Sequence, residues 1–311
     1  IGTGFSTNIP QYSPLDLIEN IFHKMKTGNF IEIQPWYRNF KGTISKKDNK
    51  SYITKGIYKI LSPTQMEITE LPIGKWTEDY KQFLESLIPD RTNDKKSKKE
   101  IVLDYENHST DTTVHFKVTL KPGYLQKSQW SDDDIDTIEK DFNLTSTKYT
   151  SLTNLHLYNK DGTINKYNNI IEILEEFYKL RYDLYEKRKN YELKQLKDKL
   201  ELLTVKCRFI QDVVNDKIKI FRVKKDKIIQ SLKQFEYPYM EKDILKHDGN
   251  KQLTSEYDYL IKLPINSMCE EEIESLEKKK IDCQQEYNSL LSKKIEQIWS
   301  EELISIKKMY K

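Results

Sequence analysis

The spacing of apolar positions changes twice along the chain, and each change marks a different kind of structure. After residues 1–12, which are small and mostly polar, Ile18, Ile21, Phe22 and Met25 fall on one face of a helix. Ser13 suits its cap, Pro14 its first position, Asp16 its positive end and Gly28 its termination. Between residues 34 and 71 the segments KGTIS, KSYITKGIYKIL and MEITELP are rich in Ile, Tyr and Thr and are split by turn residues such as Ser62-Pro63-Thr64. They predict antiparallel strands, and the alternation of VHFKVTL at 114–120 predicts another. The polar run at 94–99 reads as an exposed loop and the acidic run at 131–136 as a cap before a helix. Asp161-Gly162 is the strongest hairpin signal, joining LHLY to TINKY.

Beyond Tyr167 the pattern becomes helical, with no Gly or Pro from Asn168 to Phe235. Leu193, Leu196, Leu200 and Leu203 step by three, four and three, the rhythm of a coiled-coil seam. Ile273, Leu276, Lys280, Cys283, Tyr287, Leu290 and Lys294 repeat it, with Ser267 and Glu270 spaced as a capping box at the start. The two Lys weaken that seam. KIKIF and EYDYLIKLP, between the helices, suit a small globular tip. The prediction is an α+β chain: a mixed α/β domain at 13–167, then a long antiparallel two-helix stalk (168–209 out, 266–311 back) carrying a small, mainly helical domain at 210–265.

Composition narrows the chemistry. At 311 residues the chain has room for about two domains. Its longest apolar runs fall far short of the ~20 residues a bilayer crossing needs, and its mean hydropathy is −0.77, so no membrane partner is expected. A start at Ile1, with no basic and apolar leader, reads as a piece of a longer chain. The net charge of +3 hides an uneven distribution. Residues 1–60 carry 9 basic and 4 acidic side chains, residues 101–145 carry 4 and 9, and residues 181–233 carry 16 and 8. Only 6 of 52 basic residues are Arg and there is no Ala, a bias of coding that limits what the Lys surplus means. Cys207, Cys269 and Cys283 form no CxxC pair and read as reduced thiols of an intracellular protein.

Single motifs are ambiguous. IGTG at the start resembles part of a phosphate-binding loop but lacks the GK[ST] that would complete it, so close backbone approach to DNA phosphates fits better. Ile9-Pro10 reads either as a strand end or as an apolar wedge that opens a base step from the minor groove. PWYRNFKG at 35–42 interleaves aromatics with Arg38 and Lys41, consistent with a strand edge carrying snorkelling cations or with contact along a nucleic-acid backbone. The RVKKDK cluster at 222–227 reads as a solvated face. The five His share no metal-ligand interval, and Asp132, Asp133 and Asp134 read as helix-start acids. No catalytic triad is visible.

Taken in order, IGTGFSTNIP, PWYRNFKGTI, ITELPIGKWTEDYKQFL, KYNNIIEILEEFYKLRYDLYEKRK and YDYLIKLPINSMCEEEIESLEKKK resemble the eukaryotic-type type IIA DNA topoisomerases, the topoisomerase II family, including versions encoded by large DNA viruses. The resemblance covers essentially the whole chain. It implies the end of a winged-helix region (1–12), a tower domain (13–167), a coiled coil, and a C-terminal gate through which two copies pair. It also implies an ATP-dependent enzyme that passes one DNA duplex through a transient double-strand break in another, changing supercoiling and decatenating DNA. Ile9 aligns with the family's intercalating isoleucine beside Pro10. Thr3, Gly4, Ser6, Thr7, Arg38 and Lys41 become expected DNA contacts.

The family's nucleophilic tyrosine follows an arginine upstream of the IGTG block, and its Mg²⁺ and ATP sites lie upstream too, so no catalytic or metal-binding residue is expected here. Arg181-Tyr182 imitates the catalytic dipeptide but sits in the long helix, where Tyr182 reads as a packing residue. The connection at 239–256 is compact for the family, which points to a viral or reduced version. A cellular member implies the nucleus, and a viral one a viral factory in host cytoplasm. The rival reading is a non-catalytic dimeric coiled-coil protein that bends or tethers DNA. The gyrase-like proteins of bacteria match these blocks poorly.

Overall fold

The computed structural model describes residues 4–89, 101–125, 132–239 and 257–310. The expected loop at 94–99 and most of the connection at 239–256 lie outside the described residues, as do the side chains of the acidic run at 131–136. The chain divides into two compact units, Ile1–Leu180 and Arg181–Met309.

In the first unit, α1 (Pro14–Thr27) forms as its sequence signals dictate. The Ser13 hydroxyl accepts from the Asp16 N–H at 3.4 Å, and Gly28 takes φ 82°, sending its N–H to the Lys24 carbonyl at 2.8 Å. The buried Asn20 side chain brackets Ile31, donating to its carbonyl at 2.8 Å and accepting from its N–H at 2.9 Å. Strands β1 (Thr43–Asp48) and β2 (Ser51–Lys55) pair antiparallel, and β3 (Ile57–Ser62) with β4 (Gln65–Glu70) forms the hairpin around Pro63-Thr64. The run at 50–61 is therefore two strands. Gly56 separates them, donating its N–H to the Leu144 carbonyl, at a point where a Cβ would strike the Glu70 carbonyl oxygen.

Next come α2 (Thr77–Ser86), β5 (Val102–Asn107), β6 (Phe116–Leu120), α3 (Asp132–Asp141), β7 (Thr145–Ser146) and the hairpin β8 (His156–Tyr158) with β9 (Ile164–Lys166). The strands form sheets of order β1-β2-β7 and β3-β4-β6-β5. One face of the larger sheet carries Met66, Ile68, Val102, Phe116, Val118 and Leu120, all buried in one cluster with Tyr80 and Leu84 of α2 and Ile138 and Phe142 at α3. Burying a side chain such as Leu84 or Phe116 contributes about 1.5–3 kcal/mol. The Tyr80 hydroxyl reaches this interior by donating to the Phe142 carbonyl at 2.7 Å, and burial pushes its pKa well above the ordinary value. No cap signal marks the start of α2, whose N-cap Trp76 makes no side-chain capping bond, although Tyr80, Phe83, Leu84 and Leu87 recur at helical spacing.

In the second unit the part of α4 (Ile170–Val214) from Arg181 onward runs antiparallel to α7 (Glu270–Ser292). Gln211 donates to Glu277 at 3.0 Å, the Cys283 thiol lies 3.6 Å from the Leu196 carbonyl, and the Lys189 ammonium donates to the Leu291 carbonyl at 3.2 Å. The expected seam forms through Ile273, Leu276, Lys280, Cys283, Tyr287 and Leu290, all buried or half-buried.

Two sequence readings are corrected here. Ser267 lies in a 3₁₀ turn (Ile265–Met268), and α7 is capped by Cys269 with no side-chain bond, so the capping box does not form. Lys294 leaves the seam, because the helix breaks at extended Lys293 before α8 (Ile295–Tyr310) begins. The Lys189 ammonium also donates to the Lys293 carbonyl at 2.5 Å, and Gln297 accepts from the Lys294 N–H at 2.9 Å, so the groups freed by the break are satisfied. Just before KIKIF α4 ends, where Asp216 takes the left-handed φ of 55° and the Asp212 carbonyl accepts from the N–H groups of Lys217 and Ile218.

The tip contains α5 (Lys225–Gln234) and the short α6 (Asp258–Ile261), packed in one cluster through Phe209, Ile210, Ile228, Leu232, Tyr259 and Leu260. The Tyr237 hydroxyl donates to the Asp212 carboxylate at 2.6 Å, with Lys217 at 3.3 Å and Arg208 at 3.8 Å. The Tyr237 bond first, and then these cations, hold the Asp212 carboxyl below its ordinary pKa. A depressed folded pKa stabilises the fold above the unfolded value of about 3.9, and that stability is lost as pH falls through the folded value. Asp212→Asn is therefore expected to destabilise the protein by about 1–3 kcal/mol at pH 7 in urea unfolding, with the difference from wild type shrinking below about pH 4. A difference that persists unchanged to about pH 2.5 contradicts this role.

Candidate nucleic-acid interface

Residues 4–12 form an arm that is held along β8 and the residues before it. The Asn8 N–H donates to the Asn154 carbonyl at 2.9 Å, and the Thr7 hydroxyl donates to the His156 carbonyl at 2.7 Å. Asn154 donates through Nδ2 to the Ser6 hydroxyl at 2.9 Å, while its Oδ1 lies 2.8 Å from His156 Nδ1, the tautomer with a proton there completing the chain. Phe5 sets its ring edge-on to Tyr158, with centroids 5.4 Å apart. The hairpin beneath is itself fixed, because the Asn159 side chain accepts from the N–H groups of Asp161 and Thr163 at 3.0 Å and Gly162 supplies φ 77°.

Past this clamp the arm turns to the segment at 34–40. The Trp36 N–H donates to the Gln11 carbonyl at 2.8 Å, and the Tyr37 hydroxyl donates to the Tyr149 carbonyl at 3.0 Å. Burial pushes the Tyr37 pKa up. Ile9 is half-buried on the wall of a concavity of about 420 Å³ that Tyr37, Gly74, Lys75, Trp76 and Tyr149 also line. Gly74 is required at its floor, since it takes φ +80° and a Cβ there would enter the Tyr149 ring.

The expected site residues separate into groups. Gly4, Ser6, Thr7 and Ile9 share the arm, Gly4 with φ 74° and exposed. Pro10 is buried, so it supports Ile9 from within. Thr3 lies outside the described residues. The Thr7 hydroxyl is engaged with backbone carbonyls. Arg38 is exposed in the turn beside Tyr37. Lys41 lines a different concavity with Glu70, His108 and His115, and its N–H donates to the Glu70 carboxylate at 3.2 Å. Sequence reasoning missed Asn154, His156, Tyr149, Lys75 and Trp76. Only the last two carried a signal, an exposed-type Lys-Trp pair in GKWT.

Arg181-Tyr182 belongs to a ladder in the second unit. Tyr182 donates to Glu296 at 2.9 Å, and Arg181 lies 5.0 Å from the centre of the Tyr185 ring, which stacks on Trp299. Among the described residues no group of three or more His, Cys, Asp or Glu is arranged to hold a metal ion, and no helix is long and apolar enough to cross a membrane.

Comparison with known proteins gives matches that span both units. The family model for the A-subunit of DNA gyrase/topoisomerase IV matches residues 1–304. DNA topoisomerase 2 of Acanthamoeba polyphaga mimivirus is 32% identical over 97% of this chain, and that of Plasmodium falciparum (isolate K1 / Thailand) is 32% identical over 97%. The chain spans 27% and 22% of those two proteins. The crystal structure of the Plasmodium falciparum topoisomerase II DNA-binding, cleavage and re-ligation domain superposes with a TM-score of 0.75 at 32% identity, covering 100% of this chain and 43% of that one. Because the match runs from the arm through both units, the chain belongs to the DNA gyrase/topoisomerase IV A-subunit family of type IIA topoisomerases, and its relatives in that family are DNA topoisomerases 2.

Proposed function

We propose that this chain is the DNA-binding and dimer-gate part of an ATP-dependent type II DNA topoisomerase, which passes one duplex through a transient double-strand break in another. The observation that supports this most directly is the clamped arm, which presents Ile9 on a rigid support at the edge of a basic segment. An apolar side chain held this way can enter a base step and kink the duplex, at an unstacking cost of about a few kcal/mol. Contacts from Gly4, Ser6 and Arg38 to the backbone offset that cost, with release of counterions. Thr7 acts within the protein, by fixing the arm.

Exposed Phe221, Tyr239 and Val214 in the second unit, 66%, 58% and 56% accessible, support pairing of two copies through that unit as a gate. In this reading Mg²⁺ and ATP are bound, with the nucleophilic tyrosine, in other parts of such an enzyme. Relatives include viral, cellular and mitochondrial proteins. A nuclear site of action fits a cellular source and a cytoplasmic viral factory a viral one.

Two measurements test this. Titration of a ~30-bp duplex at several salt concentrations is expected to give log affinity falling linearly with log salt, by about 0.9 per phosphate neutralised. A flat response contradicts backbone binding. Ile9→Ala is expected to reduce bending, read by energy transfer between the duplex ends, while dimerisation measured by sedimentation stays as in wild type. Unchanged bending removes Ile9 from the mechanism.

A further inference from the structure

Among the concavities of the described residues, the one beside Ile9 differs from its neighbours in charge. The concavity at Lys41 includes Glu70, and one between α4 and α7 includes Glu192 and Glu286. Among the described residues, no acidic side chain lines the Ile9 concavity. Lys75 and Arg38 are exposed, and neither pairs with a carboxylate among the described residues. Lys148 also adds positive charge, its ammonium 5.4 Å from the centre of the Tyr149 ring. Trp76 is 70% exposed, and its backbone is extended ahead of α2. The floor is built for close approach, since the Tyr149 ring covers Gly74 where a Cβ has no room. At about 420 Å³ the space suits a group of nucleotide size, within the ~300–1,000 Å³ typical of small-ligand pockets.

We propose that this concavity is a strand-binding subsite that takes the deoxyribose-phosphate of one DNA strand, next to the base step that Ile9 enters. The Trp76 indole packs against the sugar, and the Lys75 ammonium holds the adjacent phosphate. The subsite rests on the reading of the arm as a DNA contact. It explains why a large aromatic is left in water beside a cation with no carboxylate partner among the described residues: both acquire partners when DNA is bound. Unstacking at Ile9 splays the neighbouring nucleotide, and a second apolar surface at that spot would hold the bend open. Phosphate and sugar contacts of this kind fix register without reading sequence.

Hydroxyl-radical footprinting of a ~30-bp duplex with the 311-residue chain reads the sugars directly. Wild type is expected to protect sugars beside the bend. Trp76→Ala is expected to lose that protection and about 10-fold in affinity, as removal of one aromatic–nucleotide contact does. Trp76→Phe, which keeps an aromatic face, retains the protection, and Lys75→Ala lowers the salt slope by about one. Melting of both Trp76 variants should match wild type, because the side chain is mainly in solvent. If Trp76→Ala leaves footprint and affinity unchanged while bending still depends on Ile9, the subsite is overturned and the arm reading stands. If wild type gives no footprint at all, both are overturned.

Discussion

The wedge proposed for Ile9 acts on DNA only if it cannot retreat, and in this chain that constraint falls on the bonds that tie residues 5–8 to residues 154–158. Fixing one residue of free backbone costs roughly 1–2 kcal/mol, so an unrestrained arm of this length would lose most of its contact energy to ordering when DNA binds. Here the arm's contacts are made within the chain itself. Asn8 and Thr7 bond to carbonyls at 154 and 156, Asn154 reaches back to Ser6, and Phe5 closes the end against Tyr158. The hairpin below is stiffened by Asn159 and Gly162, and buried Pro10 fixes the exit. Ile9 therefore sits between two immobilised segments.

The second unit solves a different problem with similar chemistry. Its long helices would lose their shared seam at Lys293 and Lys294, yet Lys189 caps the freed carbonyls and Gln297 caps the new helix. Beyond the break, Tyr185 stacks on Trp299 between the cations Arg181 and Arg188, and Arg188 bonds to Glu302 at 2.6 Å. Aromatic stacking and cation–π contact thus take over where the leucine seam ends. The Arg-Tyr pair in this helix is part of that packing.

Local signals carried much of this architecture. The α1 caps, the alternation of β6, the Asp-Gly hairpin and the heptad spacing of α4 and α7 each depend on residues within one or two turns of each other, so they can be read in line. Other features depend on partners far away in sequence. The break at 293–294 involves two ordinary helix formers and is satisfied by Lys189; the end of α4 uses Asp216 where Gly is usual; and α2 begins on an uncapped Trp. In the candidate site, ordered motifs pointed to Ile9 and Arg38, whose roles stand as proposals. Their positioning groups Asn154 and His156 lie about 150 residues away, and the Tyr149 ring over Gly74 is known only from the folded chain.

The most direct test is to release the clamp and leave the wedge in place. With Asn154→Leu, which removes the side-chain bonds to Ser6 and His156, end-to-end energy transfer on a bound ~30-bp duplex should show a smaller and broader bend, while Ile9 is intact and the melting temperature is within a few degrees of wild type. A bend of wild-type angle and width in that variant would show that the wedge needs no preorganised arm, and would contradict the account.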